Sequence, residues 1–289
     1  MTETACDNDI IHEHRRIWSV RPELREVYHE WFGRLLAGMA RPVVEIGSGP
    51  GFLKQFFSEV ITTDVIVNPW INVGCEAEML PFGAETVGGI VLVDVLHHLR
   101  RPMDFIREAK RVLRPNGTLA MVEPWISPLS FFLWRYLHHE ECRFNINIEE
   151  PFGRAEKQAF EGNAAIPFKL LRSYDSLGAP LRLEAAEPFV GFPYLATRGF
   201  RPKGSVSNSI IRVGKVLESI SKPLRPLAAT RVLLIFRNSE VALRTDAKKN
   251  FTDGLMSRCS SWAGPRSALV GALGVVRALV RCRDGSGGR

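Results

Sequence analysis

The chain has 289 residues, of which 45% are hydrophobic and 24% charged, with a formal net charge of +7. This length can bury a sizeable core as one large α/β domain with appendages. The charge is concentrated: residues 237–289 carry ten Lys/Arg against four Asp/Glu, a surplus of six, which leaves the first 236 residues a surplus of one. The pattern lacks the basic stripe along a folded face that nucleic-acid binding requires.

Cys6, Cys75, Cys142, Cys259 and Cys282 are odd in number and form no C-x-x-C pair, so neither a disulfide framework nor a structural zinc site is expected. Charges at Asp7, Asp9, Glu13, Arg15 and Arg16 interrupt any apolar leader, and no run reaches about 18 apolar residues. The expectation is a cytoplasmic protein without a secretory signal or membrane span.

Residues 1–20 are polar and read as a flexible N-terminus. Pro22 then suits the first position of a helix, and Leu24, Val27, Tyr28, Trp31, Phe32, Leu35 and Leu36 recur at three-to-four spacing up to Gly38. Val43, Val44 and Ile46 begin a short β-branched strand. Gly47, Gly49 and Gly51 follow it, and an amphipathic helix opens at Phe52. Such a strand, turn and helix start lets a ligand lie against the backbone and offers free N–H groups to a negative one. A plain tight βα turn has the same composition. A dinucleotide fingerprint would need its third glycine at position 52, which is Phe.

Glu59 to Asp64 reads as a second strand ending in an acid, placed where both hydroxyls of a ribose can be bound, or where a turn near Asn68-Pro69 can be capped. Only six residues separate Asp64 from Ile71, too few for a helix before the third strand, Ile71 to Gly74. Gly88 to Val95 is nearly all apolar, as a parallel strand covered on both faces should be. Leu96-His97-His98-Leu99 follows, then a helix from Met103 to Leu113 and a fifth strand, Thr118 to Val122, ending at Glu123-Pro124.

Residues 125–180 exceed the length of a simple connection and are rich in large side chains, which suits either an aromatic lid over a pocket or a helix packed on the core. The run His138-His139-Glu140-Glu141-Cys142 holds metal-type ligands, but neighbours on a helix point about 100° apart, and no metal site is expected. Leu181 to Val190 and Arg231 to Phe236 read as strands six and seven. Residues 191–226 form an insert between them, with a helix at Ile210 to Ile220. Its apolar and basic character admits weak membrane-surface contact, although packing over the sheet is the simpler expectation. Residues 237–289 read as a mobile basic tail.

The string Glu45-x-Gly47-x-Gly49-x-Gly51 resembles motif I of the class I S-adenosylmethionine-dependent methyltransferases. Cys75-Glu76-Ala77-Glu78-Met79-Leu80-Pro81-Phe82 resembles the D-A-E-x-L-P-F segment of the group that includes the ubiquinone and menaquinone methyltransferases. Leu96-His97-His98-Leu99, the run from Pro102 to Gly117 and the strand ending in Glu123-Pro124 resemble the rest of the same core. The resemblance covers residues 24–137 closely and 181–236 loosely.

It implies a Rossmann-like α/β fold over residues 21–236: a seven-stranded, mostly parallel sheet with an antiparallel last strand, helices on both faces and a lid insertion after strand five. It also implies S-adenosylmethionine as cofactor, held by Glu45, Gly47, Gly49, Gly51, Asp64, Glu76, Ala77 and Asp94. Within that set, Glu45 would face the methionyl amino group, Asp64 the ribose and Glu76 the adenine amino group, with the Ala77 N–H reaching the ring. His97 and His98 are the leading candidates for a general base because they follow strand four at the catalytic edge and an imidazole can change its charge near neutral pH; His138 and His139 come next. The implied reaction is O- or C-methylation of a small apolar or glycosidic acceptor. A non-catalytic S-adenosylmethionine-binding module is the alternative, and the oligomeric state stays open.

Overall fold

The computed structural model describes residues 3–136, 141–151, 160–201 and 206–239. Within them the chain runs through α1 (Glu3–Val20), α2 (Pro22–Leu36), β1 (Val43–Glu45), α3 (Phe52–Phe56), β2 (Ile61–Asp64), β3 (Val73–Gly74) and β4 (Val87–Val93). A 3₁₀ turn at Leu96–His98, the first of two (the other is Lys222–Leu224), then leads to α4 (Pro102–Val112), β5 (Leu113–Pro124), α5 (Pro128–Tyr136) and α6 (Ile166–Ser173). Next come β6 (Arg182–Phe189), α7 (Phe192–Thr197), α8 (Asn208–Ile220), α9 (Arg225–Ala228) and β7 (Arg231–Arg237).

The seven strands form one sheet in the order β3-β2-β1-β4-β5-β7-β6. The pairs from β3 through β5 are parallel, and β7 runs antiparallel to both β5 and β6. This is the expected sheet, with its last strand reversed. The chain order turns outward in both directions from β1 and β4, so the carboxyl ends of these two strands flank the topological switch point, where open α/β sheets bind ligands.

The central strands are buried throughout: Val43 to Glu45 in β1 and Val87 to Leu92 in β4. Helix α2 buries Leu24, Val27, Tyr28, Trp31, Phe32 and Leu35 in one core cluster with Val91 of β4 and Val122 of β5. Six such side chains contribute on the order of 10 kcal/mol of apolar burial. The 64–73 interval holds no helix, so β3 is two residues long and the sheet edge beside β2 is thin.

The N-terminal expectation is corrected. Residues Glu3–Val20 form an α-helix rather than a flexible arm. Its Ile11, Ile17 and Trp18 are buried. Trp18 stacks on Phe52 with ring centroids 3.9 Å apart, and its indole N–H donates to Gln55 Oε1 at 2.9 Å. The helix is polar overall, yet these side chains anchor it to α3, directly behind the glycine turn.

The insert between β6 and β7 folds as α7, α8 and α9. Gly214 of α8 lies so close to the Pro193 backbone that an added Cβ would stand 3.1 Å from its nitrogen, which is how α7 and α8 cross tightly. Buried Arg21, at the α1–α2 junction, donates to the Thr197 carbonyl at 2.5 Å and pairs with Glu23 at 2.7 Å, tying the insert to the first two helices. The outer face of α8 leaves Ile210, Val213, Val216 and Ile220 exposed. No helix among the described residues is long and apolar enough to cross a membrane. Residues 240–289, most of the expected basic tail, lie outside the described residues, as do His138 and His139.

Candidate functional site

A cavity of about 1380 Å³ opens at the carboxyl edge of the sheet. Its floor is the turn after β1. Gly47 and Gly51 have φ of +62° and +71°, a region that costs other residues energy. Close packing restricts them further: a Cβ would stand 2.7 Å from the Val95 methyls at Gly47 and 2.5 Å from Trp70 Cδ1 at Gly51. Nothing lies within 4 Å of where a Gly49 Cβ would point, so that side of the turn is open to a ligand. The turn is braced from outside by the Trp70 indole N–H, which donates to the Gly49 carbonyl at 2.7 Å. Arg15 of α1 donates to the Pro50 carbonyl, and its guanidinium lies 3.8 Å from the Trp70 ring centre.

The sheet brings the predicted acids to this cavity. Glu45, Asp64, Glu76 and Asp94 all line it, together with Gly47, Gly49 and Ala77. Glu45, at the end of β1, is buried, and its Oε2 has no hydrogen-bond partner. Burial first, and the Asp64 charge second among the groups that raise it, push its carboxyl from 4.5 up to about 8, against the opposing pull of Ser48 and Lys54. A buried carboxyl with an unanswered oxygen is expensive unless a donor arrives from the cavity.

Asp64 at the end of β2 accepts the Gly49 N–H at 2.7 Å on one oxygen and the Ile66 N–H at 2.8 Å on the other. It therefore shapes the glycine turn, and each oxygen keeps a lone pair for a ligand. Burial raises its carboxyl while these backbone N–H groups lower it. Glu76 is exposed on the rim and Ala77 is buried beside it. Asp94 has φ of +56° and is ion-paired with buried Arg231 of β7.

His97 and His98 also line the cavity, from the 3₁₀ turn after β4. Their rings lie 4.0 Å apart. His97 is buried, and its Nδ1 is 2.7 Å from Glu123 Oε2. Aromatic side chains also line the cavity: Tyr28 and Phe32 of α2, Tyr194 and Phe200 of the insert, Trp134 of α5 and Phe160, whose ring lies 6.5 Å from that of His98. Burial holds the Tyr28 hydroxyl well above its usual range, so it stays neutral. His14 of α1 stacks on Phe200 at 4.4 Å, and burial pushes it down to about 4, so it meets the wall uncharged at neutral pH. Among the described residues no three His, Cys, Asp or Glu side chains gather as a metal site.

Sequence reasoning did not assign Trp70, His14, Glu123 or Arg231 to the site. Glu123 and Arg231 sit at the cavity end of adjacent strands β5 and β7, 108 positions apart in the chain, and only the sheet order brings them together. His14 had a local signal, since Ile10, Ile11, His14, Ile17 and Trp18 recur at helical spacing.

Residues 44–121 match the family described as methyltransferase domain. A tRNA U34 carboxymethyltransferase of Saccharophagus degradans is 31% identical in an alignment of 101 positions that covers 32% of this chain and 28% of that protein. The chain thus spans little more than a quarter of that relative's length. The geranyl diphosphate C-methyltransferase of Streptomyces coelicolor A3(2) aligns in structure at 14% identity over 78% of this chain and 82% of that one, with a TM-score of 0.47. The 1,6-didemethyltoxoflavin-N1-methyltransferase of Burkholderia thailandensis aligns at 16% identity over 81% and 88%, with a TM-score of 0.44.

Proposed function

We propose that the chain is an S-adenosylmethionine-dependent methyltransferase acting on a small molecule. The observation that carries this reading is Glu45, a buried residue of the cavity lining whose Oε2 has no hydrogen-bond partner. A cationic amino group supplies what that oxygen lacks. The match of residues 44–121 to the methyltransferase domain supports the same conclusion independently.

In this reading Glu45 binds the amino group of the methionyl part, and the glycine turn lies along the donor. Asp64 and Glu76 take the ribose and the adenine, with the Ala77 N–H on the ring. Asp94, held by Arg231, lies at the same edge between donor and acceptor. When bound, S-adenosylmethionine supplies a methyl carbon made electrophilic by its sulfonium. The protein's own contribution is orientation and exclusion of water, and oriented proximity accounts for about 7–11 kcal/mol of barrier lowering.

The acceptor occupies the aromatic side. The cavity, at about 1380 Å³, exceeds the roughly 300–1,000 Å³ of an ordinary ligand pocket and has room for two molecules. Tyr28, Tyr194, Phe200 and Trp134 suit a largely apolar or glycosidic acceptor methylated on oxygen or carbon. Helix α1 closes the donor side through Arg15 and Trp18, in keeping with a site that keeps water out.

Calorimetric titration of S-adenosylmethionine into the wild type and Gly49→Arg tests the reading. Saturable binding by the wild type and none by the variant is expected. A wild type that takes up no donor refutes it.

A further inference from the structure

Helix α8, Asn208–Ile220, turns its apolar side outward. Its buried residues are Ile211 and Gly214, the latter pressed against the Pro193 backbone. At about 100° per residue, Val213, Val216 and Ile220 fall within about 60° of one another on the side opposite Ile211. These three are 57%, 60% and 65% exposed, and Ile210 and Leu217 beside them are exposed as well. A surface helix ordinarily shows water its polar side, so the arrangement is reversed. Exposed apolar side chains continue past the helix end at Leu224 and Leu227. A ridge of this kind, unlike single exposed residues, marks a binding surface.

Charge sorts in the same direction. Residues 191–230 carry seven Lys/Arg against one Asp/Glu, whereas the rest of residues 1–236 carries 21 against 26. The one acid, Glu218, is turned inward: its oxygens accept the N–H groups of Val190 at 3.0 Å, Gly191 at 2.8 Å and Phe192 at 3.2 Å. Lys215 is turned towards α2, where it pairs with Glu26 at 2.7 Å and Glu30 at 3.3 Å. Arg212 and Lys222, by contrast, are exposed and have no carboxylate partner among the described residues. Arg212 borders the ridge on the helix, and Lys222 follows its last turn. The surface is therefore apolar along its length and basic at its edge, with no acid of its own.

We propose that the insert between β6 and β7 docks the protein on the surface of an anionic lipid bilayer, with Val213, Val216 and Ile220 at the acyl boundary and Arg212 and Lys222 among the headgroups. Charge complementarity selects this occupant. An apolar protein surface would leave both cations without a counter-charge, and a second copy of the chain would bring like charges together. A bilayer interface accepts a helix lying in its plane, apolar side down and basic residues at headgroup level. The contact is peripheral, because no helix among the described residues is long and apolar enough to cross a membrane. Leu195, Arg198 and Arg201 of the same insert line the cavity, so the docking element is also part of the site's wall.

Sedimentation of the full chain with vesicles tests this. Mixed phosphatidylcholine–phosphatidylglycerol vesicles should carry the wild type down, phosphatidylcholine alone should bind it at least tenfold more weakly, and rising salt should weaken the binding. Val213→Glu combined with Ile220→Glu should lower affinity for the mixed vesicles tenfold or more. Arg212→Gln and Lys222→Gln should each lower it about fivefold. All four positions are exposed and outside the cavity lining, so these variants should keep the wild-type thermal unfolding.

A wild type left in solution by both kinds of vesicle overturns the proposal. Equal affinity of the wild type and the Val213→Glu, Ile220→Glu variant overturns it too, since lipid contact would then lie elsewhere in the chain. So does a wild type that self-associates in analytical ultracentrifugation and loses that association, rather than vesicle binding, in the same variant; the ridge would then face a second copy. The docking stands apart from the methyltransferase reading: vesicle binding by a wild type that takes up no S-adenosylmethionine supports the one and removes the other.

Discussion

Glu45→Gln isolates the group on which donor recognition turns. In the unligated chain burial holds the Glu45 carboxyl at about 8 instead of 4.5, so at pH 7 about nine-tenths of the molecules carry its proton. A bound ammonium group requires the carboxylate, and binding must therefore expel close to one proton. Titration of S-adenosylmethionine in buffers of different ionisation enthalpy measures that number. The wild type should release about 0.9 proton per site at pH 7 and Glu45→Gln about none. The variant should also lose affinity by 10²-fold or more, since removing one partner of a buried charge pair costs about 3–5 kcal/mol.

The same residue sets a stability trend. Its acid is raised in the folded state, so folding holds the proton more tightly than the unfolded chain does. The penalty is absent below pH 4.5, and stability falls as pH rises from there to about 8, by about 5 kcal/mol as an upper bound. Glu45→Gln should flatten that fall in urea unfolding. Wild-type binding without proton release, and with affinity equal to that of Glu45→Gln, would refute the reasoning.

His14 acts in the opposite direction: burial lowers it from 6.5 to about 4, so stability present above pH 6.5 is lost as pH falls towards 4, by up to about 3 kcal/mol, and His14→Phe should remove that loss in acid titration. Trp18→Ala deletes the stack on Phe52 and should cost about 3–5 kcal/mol in chemical unfolding; a cost under about 1 kcal/mol would show that α1 contributes little to the fold. Gly47→Ala and Gly51→Ala each force a side chain into left-handed backbone and against Val95 or Trp70, so each should destabilise by about 1–3 kcal/mol and weaken donor binding at least tenfold by calorimetry.

The parts of the fold legible in the sequence are those whose signal is local. A β-branched run, three alternating glycines and a helical apolar stripe define β1, the turn and α3 within 14 residues, 43 to 56. Buried β4 was legible for the same reason, because both its faces need apolar side chains. Helix α1 was hidden by its charges: Asp7, Asp9, Glu13 and Arg16 mask a stripe whose Ile17 and Trp18 join the core cluster of the sheet. The site was legible where one strand end supplies one acid, as for Glu45 and Asp64. It was not legible where a lining residue is held by a partner from a distant strand: Glu123 against His97 and Arg231 beside Asp94 are set by the sheet order alone. The insert's Tyr194 and Phe200 likewise have no signal marking them as cavity wall, since aromatic residues there suit ordinary packing equally well.

The most direct test of the central claim, that this cavity transfers a methyl group, is incubation of the full chain with methyl-labelled S-adenosylmethionine and a metabolite and lipid extract, followed by identification of the labelled product. The account predicts label in a small molecule with the wild type and none with Gly49→Arg. Label in no fraction, from a wild type shown to bind the donor, would contradict it.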